Sequence, residues 1–290
     1  MLSDPQITLL RRWLGISRTR LFTAVITPCF IGVAVAFNDG FFSSVHFIVL
    51  VLGVILAEVT TLFLADWVEH KGIDVLRSRV IAPPRLEGSP VLSSRVLPPR
   101  YTVHAAGITA TAALVVLSYF VLERGWSILI LLGIAAVAGA LYVATPFRYA
   151  FFSTAFLPPV VAFGTYFAVS GIPDWEAGLS ALPLLFLSAA VIYTYRVLYQ
   201  PKEDARFQVR RNYLRLLYLL CYLTLLVLVF SGITTVWALF GLLSAPLPLV
   251  IDRVTKVEKA SYLPATSLGV LAHTITGILI ATGYLVSALL

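Results

Sequence analysis

Three acidic residues of one apolar segment are the residues best placed to do chemistry. Glu58, Asp66 and Glu69 lie in the stretch LAEVTTLFLADWVEHKGID. In a helix at about 100° per residue, Glu58 and Glu69 come within about 20° of each other and Asp66 lies about 60° to 80° away, so all three share one face. Ionisable residues in apolar segments are costly and by default mark function. For Glu58, about 12 Å deeper by helical rise, a structural ion pair with a basic residue is an equal alternative.

The spacing of Asp66 and Glu69 suits a hard cation. Two carboxylates one helical turn apart, followed by Lys71 and Asp74, offer oxygen ligands at a helix end. Mg²⁺ keeps several waters, takes one or two carboxylates and completes its shell with substrate phosphate oxygens. We therefore predict a magnesium and diphosphate site here. The alternative for Asp66 and Glu69 is a solvated carboxylate pair where the helix leaves the apolar layer.

Basic and aromatic residues near other segment ends would complete such a site. Basic side chains would share the remaining phosphate charge, and the candidates are Arg18, Lys71, Arg148 and Arg196. Tyr142 precedes Arg148 at the end of another apolar segment. Its ring is either a membrane-belt anchor or, facing a cavity, a group that stabilises an allylic cation by roughly 0.5 to 2 kcal/mol. The sequence leaves both open.

The composition of the chain nearly excludes a water-soluble protein. Of its 290 residues 59% are hydrophobic and 12% are charged, and the mean hydropathy is +0.93, whereas soluble domains carry about 25% charged residues. Cys29 and Cys221 both lie in apolar segments, which favours neither a disulfide framework nor a thiolate metal site. No phosphate-cradling glycine loop, Ser/His/Asp arrangement or nucleic-acid motif occurs, so no nucleic-acid partner is predicted.

Nine apolar segments predict an all-α polytopic membrane protein, with one domain over residues 1–290. Each segment is near the length that spans a bilayer as a helix. The segments lie at about 20–38, 43–65, 102–122, 126–145, 151–171, 178–198, 213–232, 234–251 and 265–289.

The connections between these segments alternate between two kinds. One set is long or basic, including 66–101 and 199–212, and the other is short and nearly free of basic residues. Of the 21 Lys and Arg residues, all except Arg124 lie in or beside the first set. Basic loops stay in the cytoplasm, so we predict an integral protein of a prokaryotic plasma membrane, with the N-terminus and long loops cytoplasmic and the C-terminus outside.

Several stretches, in the right order, resemble the UbiA superfamily of intramembrane prenyltransferases, and most closely its menaquinone-type branch, which prenylates 1,4-dihydroxy-2-naphthoate. SRTRLFTAVITPCFIGVAVA is similar to the opening of that branch, and ADWVEHKGID to its first acidic motif with the Lys and Gly-x-Asp that follow. GSPVLSSRVLPPR looks like the next loop, and LYVATPFRYAFFSTAFLPPVVAFGTYFAVSG resembles the Tyr-x-x-x-Pro-x-Arg segment. The resemblance covers nearly the whole chain.

The resemblance implies a magnesium-dependent transfer of a polyprenyl group from an isoprenoid diphosphate to an aromatic, quinone-precursor-like acceptor. The nine helices would surround a central cavity open to the lipid. Asp66, Glu69 and Tyr142 would be catalytic, and Asp66, Glu69 and Asp74 would bind the metal together with the second acidic motif. Diphosphate would be bound by the basic candidates above.

Both acidic motifs depart from the family pattern. In the first, Ala65 replaces the usual Asn and Glu69 replaces the second Asp; a Glu still offers a carboxylate to Mg²⁺.

The second acidic motif, in YRVLYQPKEDARFQVRRNYL, has two possible alignments. In one, Gln200 and Asp204 take the acidic positions and one acid survives. In the other, Lys202 and Arg206 replace both acids, and Glu203 and Asp204 remain as the nearby metal ligands. The sequence does not decide between them.

Two other functions stay open beside catalysis. One is a non-catalytic relative that binds a quinone or lipid, or is a subunit of a larger membrane complex. The other is a transporter, suggested by Glu58 at depth, although no repeat of matched broken helices is visible. We also expect His46, His104 and His273 to be polar residues of the bundle interior, because they lack metal-ligand spacing.

Overall fold

The computed structural model of the protein describes residues 19–70, 99–144, 147–198, 205–256 and 262–290, and it is helical throughout these ranges apart from short turns. The elements in chain order are α1 (Thr19–Asn38), α2 (Ser44–His70), α3 (Pro99–Arg124), α4 (Ser127–Ala144), α5 (Phe147–Ser170), α6 (Trp175–Ser180), α7 (Leu182–Leu198), α8 (Ala205–Phe230), a 3₁₀ helix (Val236–Ser244), α9 (Pro246–Lys256) and α10 (Tyr262–Leu289).

Every predicted apolar segment overlaps a described helix. Within the described ranges, six helical stretches are by length and composition able to cross a membrane, namely Ser44–Ala65, Arg100–Arg124, Trp175–Thr194, Phe207–Phe230, Val236–Thr255 and Ser267–Leu289. Three shorter apolar helical stretches are Val25–Asn38, Ser127–Leu141 and Ala155–Ser170. The all-α class and the integral membrane character are therefore established, and the crossing of all nine segments stays a prediction.

Two of the predicted segments are interrupted helices rather than continuous ones. The segment at 178–198 is divided at Ala181, between α6 and α7. The segment at 234–251 is a 3₁₀ helix followed by α9, which begins at Pro246. Proline is tolerated in the first turn of a helix because the N–H it lacks has no helical partner there. Hydropathy averages over such breaks and does not detect them.

Neighbouring helices run in opposite directions. The Thr60 hydroxyl of α2 donates to the Thr109 hydroxyl of α3 at 2.8 Å, and toward the other end Gly53 faces Val116, so the residue numbers rise on one helix as they fall on the other. The same holds for α8 against the 3₁₀ helix and α9, and for α7 against α10. Their contacts are Arg211 with Asp252, Tyr222 with Ser244, Val191 with Gly269, and Leu184 with Gly277.

The core lies where α10 packs against α1, α7 and the 3₁₀ helix. Small residues allow close helix crossings there. A Cβ on Gly277 would overlap Thr27 of α1, and a Cβ on Gly283 would overlap the backbone of Trp237. Dispersion contacts between closely packed helices and excluded lipid hold such bundles together, because burial from water supplies little inside a bilayer.

Four short turns join the helices at the end of the bundle predicted to be outside, and each contains a left-handed glycine. These are Gly40, Gly125, Gly171 and Gly232, with φ between +72° and +81°. At Gly171 the N–H donates to the Phe167 carbonyl at 2.8 Å, which ends α5 in the usual glycine cap.

The one basic residue of these outer connections, Arg124, caps a neighbouring helix. Its Nε donates to the Ala168 carbonyl at 2.9 Å and its Nη2 donates to the Val169 carbonyl at 2.8 Å. The last carbonyls of a helix have no helical donor and carry partial negative charge. The exception in the basic-residue pattern therefore has a structural role at the C-terminus of α5.

Replacing Arg124 by Lys should lower stability although it keeps the charge, because a single ammonium cannot reproduce the two-pronged contact. We expect a loss of about 1 to 2 kcal/mol in the free energy of unfolding, measured by thermal unfolding in detergent. Glu123→Gln, on the exposed neighbouring residue, is the control and should leave stability unchanged. Equal stability of Arg124→Lys and the wild type would show that the cap contributes nothing.

Candidate functional site

The predicted catalytic and phosphate-binding residues occupy helix ends where they are described. Asp66 and Glu69 lie in the last two turns of α2, Tyr142 lies in the last turn of α4, Arg148 is the second residue of α5, and Arg196 lies in the last turn of α7. The backbone at these positions is helical, and their side chains lie outside what the structure describes.

The remaining predicted ligands fall outside the described residues. These are Arg18, Lys71, Asp74, Glu203 and Asp204. Their roles, like the roles of the five positions above, stay predictions. Among the described side chains no three His, Cys, Asp or Glu residues lie together in a way that would hold a metal ion.

The helix directions place the five described positions at one end of the bundle. The outer turns join α1 to α2, α3 to α4 and α5 to α6, so the opposite end carries the C-terminus of α2, the C-terminus of α4, the N-terminus of α5 and the C-terminus of α7. A constellation assembled from these positions would therefore lie at the end predicted to be cytoplasmic. Asp39, Glu123, Asp174 and Glu176 are acidic residues of the other end.

Glu58 lies on the face of α2 that is turned toward α1. The rings of Phe30 on α1 and Phe47 on α2 are 5.8 Å apart, and Glu58 follows Phe47 by three helical turns at nearly the same angle. Thr60, which contacts α3, points the other way. Glu58 is half-buried and has no hydrogen-bond or ion-pair partner among the described residues. The structural ion pair considered for it is absent from this part of the chain.

The three histidines expected in the bundle interior have different environments. His273 on α10 is fully buried, and neither ring nitrogen has a hydrogen-bond partner among the described residues. His46 is half-buried, with Nδ1 2.6 Å from the Ser43 hydroxyl. His104 is exposed and its Nδ1 lies 2.6 Å from the Arg100 carbonyl, so the expectation was wrong for this residue. A helix that is apolar all round gives no sequence signal for which face is inside.

An ion-pair cluster that the sequence did not predict lies between α8 and α9. The buried Arg211 places Nε 2.7 Å from Asp252 Oδ1 and Nη2 2.6 Å from Oδ2. Arg215 donates to the same two oxygens at 3.1 and 3.0 Å. In the sequence, Arg211 and Arg215 belong to the basic residues in or beside the connection at 199–212, which predict only the topology. The available signal was Asp252, an acid that directly follows an apolar segment. A charged carboxylate near the membrane interior is energetically costly unless it is paired, so Asp252 predicts a basic partner.

Comparisons with known proteins give a similarity of fold. No protein-family model and no curated protein sequence matches the chain. The solved structure described as "Structural and mechanistic insights into the biosynthesis of Digeranylgeranylglyceryl phosphate synthase in membranes" matches with a TM-score of 0.57 and 14% sequence identity. The match covers 96% of this chain and 98% of that chain. The chain is therefore similar in fold to this membrane synthase.

Proposed function

We propose that the protein transfers a polyprenyl group from an isoprenoid diphosphate to an acceptor within the membrane. The fold supports this, since the matching synthase is a prenyltransferase of the UbiA superfamily and this chain shares its architecture from end to end. Fold alone does not give an activity. The proposal therefore depends on the residues at the end of the bundle.

The observation that carries the proposal is the pair of carboxylate positions at the end of α2. Helix α2 continues through Asp66 and Glu69 to His70, so the two positions lie one turn apart at the end of the bundle shared with Tyr142, Arg148 and Arg196. Paired carboxylates and an anionic substrate match the oxygen donors that Mg²⁺ prefers. When bound, the ion would neutralise the diphosphate leaving group as a Lewis acid.

The chain's own residues would perform the other tasks. Arg18, Lys71, Arg148 and Arg196 would bind the diphosphate oxygens. Tyr142 would present its ring to the positive charge that develops on the allylic carbon. An apolar bundle interior would exclude water from that carbon.

The acceptor has two candidate chemistries. The sequence resemblance points to an aromatic, quinone-precursor-like acceptor. The fold neighbour is named for a glyceryl phosphate lipid, which favours an acceptor alcohol on a lipid. We propose the aromatic acceptor, because the Tyr-x-x-x-Pro-x-Arg segment of this chain resembles the branch that prenylates an aromatic acceptor. The lipid alcohol is tested beside it as the competing acceptor.

A second candidate function is a non-catalytic, quinone- or lipid-binding subunit of a larger membrane assembly. The alignment that puts Lys202 and Arg206 at both acidic positions of the second motif favours it. Two cations there would neutralise the acids of α2 without a metal.

A transfer assay on the purified full-length protein distinguishes the two. It supplies allylic diphosphates of several chain lengths, with either dihydroxynaphthoate or a glyceryl phosphate lipid as acceptor, in Mg²⁺ or in EDTA. We expect diphosphate release and a prenylated aromatic product only with Mg²⁺. Product from the lipid alcohol alone would overturn the acceptor. Absence of turnover with every donor, together with a quinone that co-purifies, would establish the non-catalytic function instead.

A further inference from the structure

The two arginines on Asp252 leave the α8–α9 interface with excess positive charge. Arg211 is buried under α9, whereas the side chain of Arg215 is 44% exposed. One carboxylate faces two guanidinium groups, and Arg253, next to Asp252, is exposed as well. The described cluster thus carries three positive charges and one negative charge. Asp252 accepts from Nε and Nη2 of Arg215, and Nη1 donates to the side-chain oxygen of Asn212 at 3.4 Å. The guanidinium is therefore fixed in place, although the side chain remains partly exposed.

Exposed leucines lie one helical turn from the exposed arginines. On α8, Leu219 follows Arg215 by four residues and is 63% exposed; on α9, Leu249 precedes Arg253 by four residues and is 65% exposed. Because α8 and α9 run in opposite directions, both leucines lie on the same side of the arginines, about 6 Å deeper in the bundle. We call these four residues the α8–α9 surface.

Helix geometry shows that the four residues face outward together. On α8, Leu214 and Tyr218 are buried toward the bundle, Arg215 borders that face, and Leu219 lies about 40° beyond Arg215. On α9, Ile251 is buried. Viewed down the helix axis, Ile251 lies to one side of Asp252 and Leu249 lies to the other side. The α8–α9 surface is therefore a continuous strip with cations at one level and apolar side chains beneath them.

We propose that the α8–α9 surface binds an anionic phospholipid. The phosphate would lie on Arg215 and Arg253, and an acyl chain would lie along Leu219 and Leu249. The charge is complementary, because a negatively charged headgroup would neutralise part of the positive charge that Asp252 does not compensate. The remaining N–H groups of the fixed Arg215 guanidinium, together with the exposed Arg253, would donate to the phosphate oxygens. This inference does not depend on the proposed prenyl transfer.

Phospholipid binding is measured on the purified full-length protein in detergent. Phosphatidylglycerol or phosphatidylcholine of the same chain length is titrated, and retained lipid is counted by native mass spectrometry. We expect phosphatidylglycerol to bind more tightly than phosphatidylcholine. Arg253→Gln, which breaks no described contact of the α8–α9 interface, should weaken phosphatidylglycerol binding about fivefold, the contribution of one basic residue near a lipid surface. Arg215→Gln should weaken it at least as much.

Arg100→Gln is the matched control, since Arg100 is an exposed arginine near the same end of the bundle on a different helix. It should retain the affinity of the wild type. Inorganic phosphate at the same concentration should not compete, since it lacks the acyl chain. The proposal is overturned if both lipids bind equally, if inorganic phosphate displaces the lipid, or if Arg100→Gln weakens binding as much as Arg253→Gln does.

Discussion

Gly283→Ala is expected to destabilise the protein strongly, because the added methyl group would overlap the backbone of a neighbouring helix. A Cβ at this position would overlap the Trp237 carbonyl oxygen and lie 2.5 Å from its carbon and 2.7 Å from the Ala238 nitrogen. All three are backbone atoms of the 3₁₀ helix, so no side-chain rotation relieves the contact. Overpacking typically costs 1 to 3 kcal/mol, and we expect about 3 kcal/mol here, measured as a lower unfolding temperature in detergent.

Gly133→Ala is the matched control for this prediction. Gly133 is also a helical glycine, but a Cβ there would meet no atom within 4 Å. The substitution should leave the unfolding temperature unchanged or raise it slightly, since alanine is the better helix former. If the two variants unfolded at the same temperature, α10 would not lie against the 3₁₀ helix as closely as described.

The second large effect is expected on activity, from neutralising the carboxylates at the end of α2. If Asp66 and Glu69 bind the metal, then Asp66→Asn and Glu69→Gln should each lower the rate of prenyl transfer at least about 100-fold, because the ion contributes several kcal/mol of charge stabilisation and each 1.36 kcal/mol is tenfold in rate. Higher Mg²⁺ concentration should restore part of the rate, which a purely structural defect would not permit.

The control for these variants is an acid at the other end of the bundle. Glu123→Gln makes the same chemical change as Glu69→Gln, on an exposed residue at the end of α3, and should leave transfer unchanged. Asp66→Glu, which keeps the carboxylate, should retain measurable activity. Full activity of Asp66→Asn and Glu69→Gln in the folded protein would exclude a metal site at these two residues.

Much of the fold follows from the sequence because its physical cause is local. Each of the nine apolar segments is helical where it is described, since a chain in lipid must satisfy its backbone polar groups internally. The tight outer turns are visible in the sequence as short connections with almost no basic residues. The division at Ala181 and the 3₁₀ helix before Pro246 do not show in the hydropathy; the available signal was Pro183 and Pro246, each in the first turn of the helix that follows the break.

The candidate site was predicted as residue types, and its geometry depends on contacts between distant parts of the chain. That Asp66 and Glu69 share a helical face is a property of α2 alone. That Asp252 pairs with Arg211 requires two helices joined by a turn and a 3₁₀ helix to meet in the correct register. The exposure of His104 likewise depends on where α3 lies in the bundle, which its nearly uniform apolar sequence does not show.

The left-handed glycines of the outer turns bear on how this chain can change length during evolution. The turn that holds Gly171 joins Ser170 of α5 to Trp175 of α6, and a turn this short cannot easily accommodate an added residue. It would instead rotate the following helix by about 100°, and side chains now packed against α10 would face the lipid. A single insertion at one of these turns would therefore turn part of the buried face of the whole following helix outward.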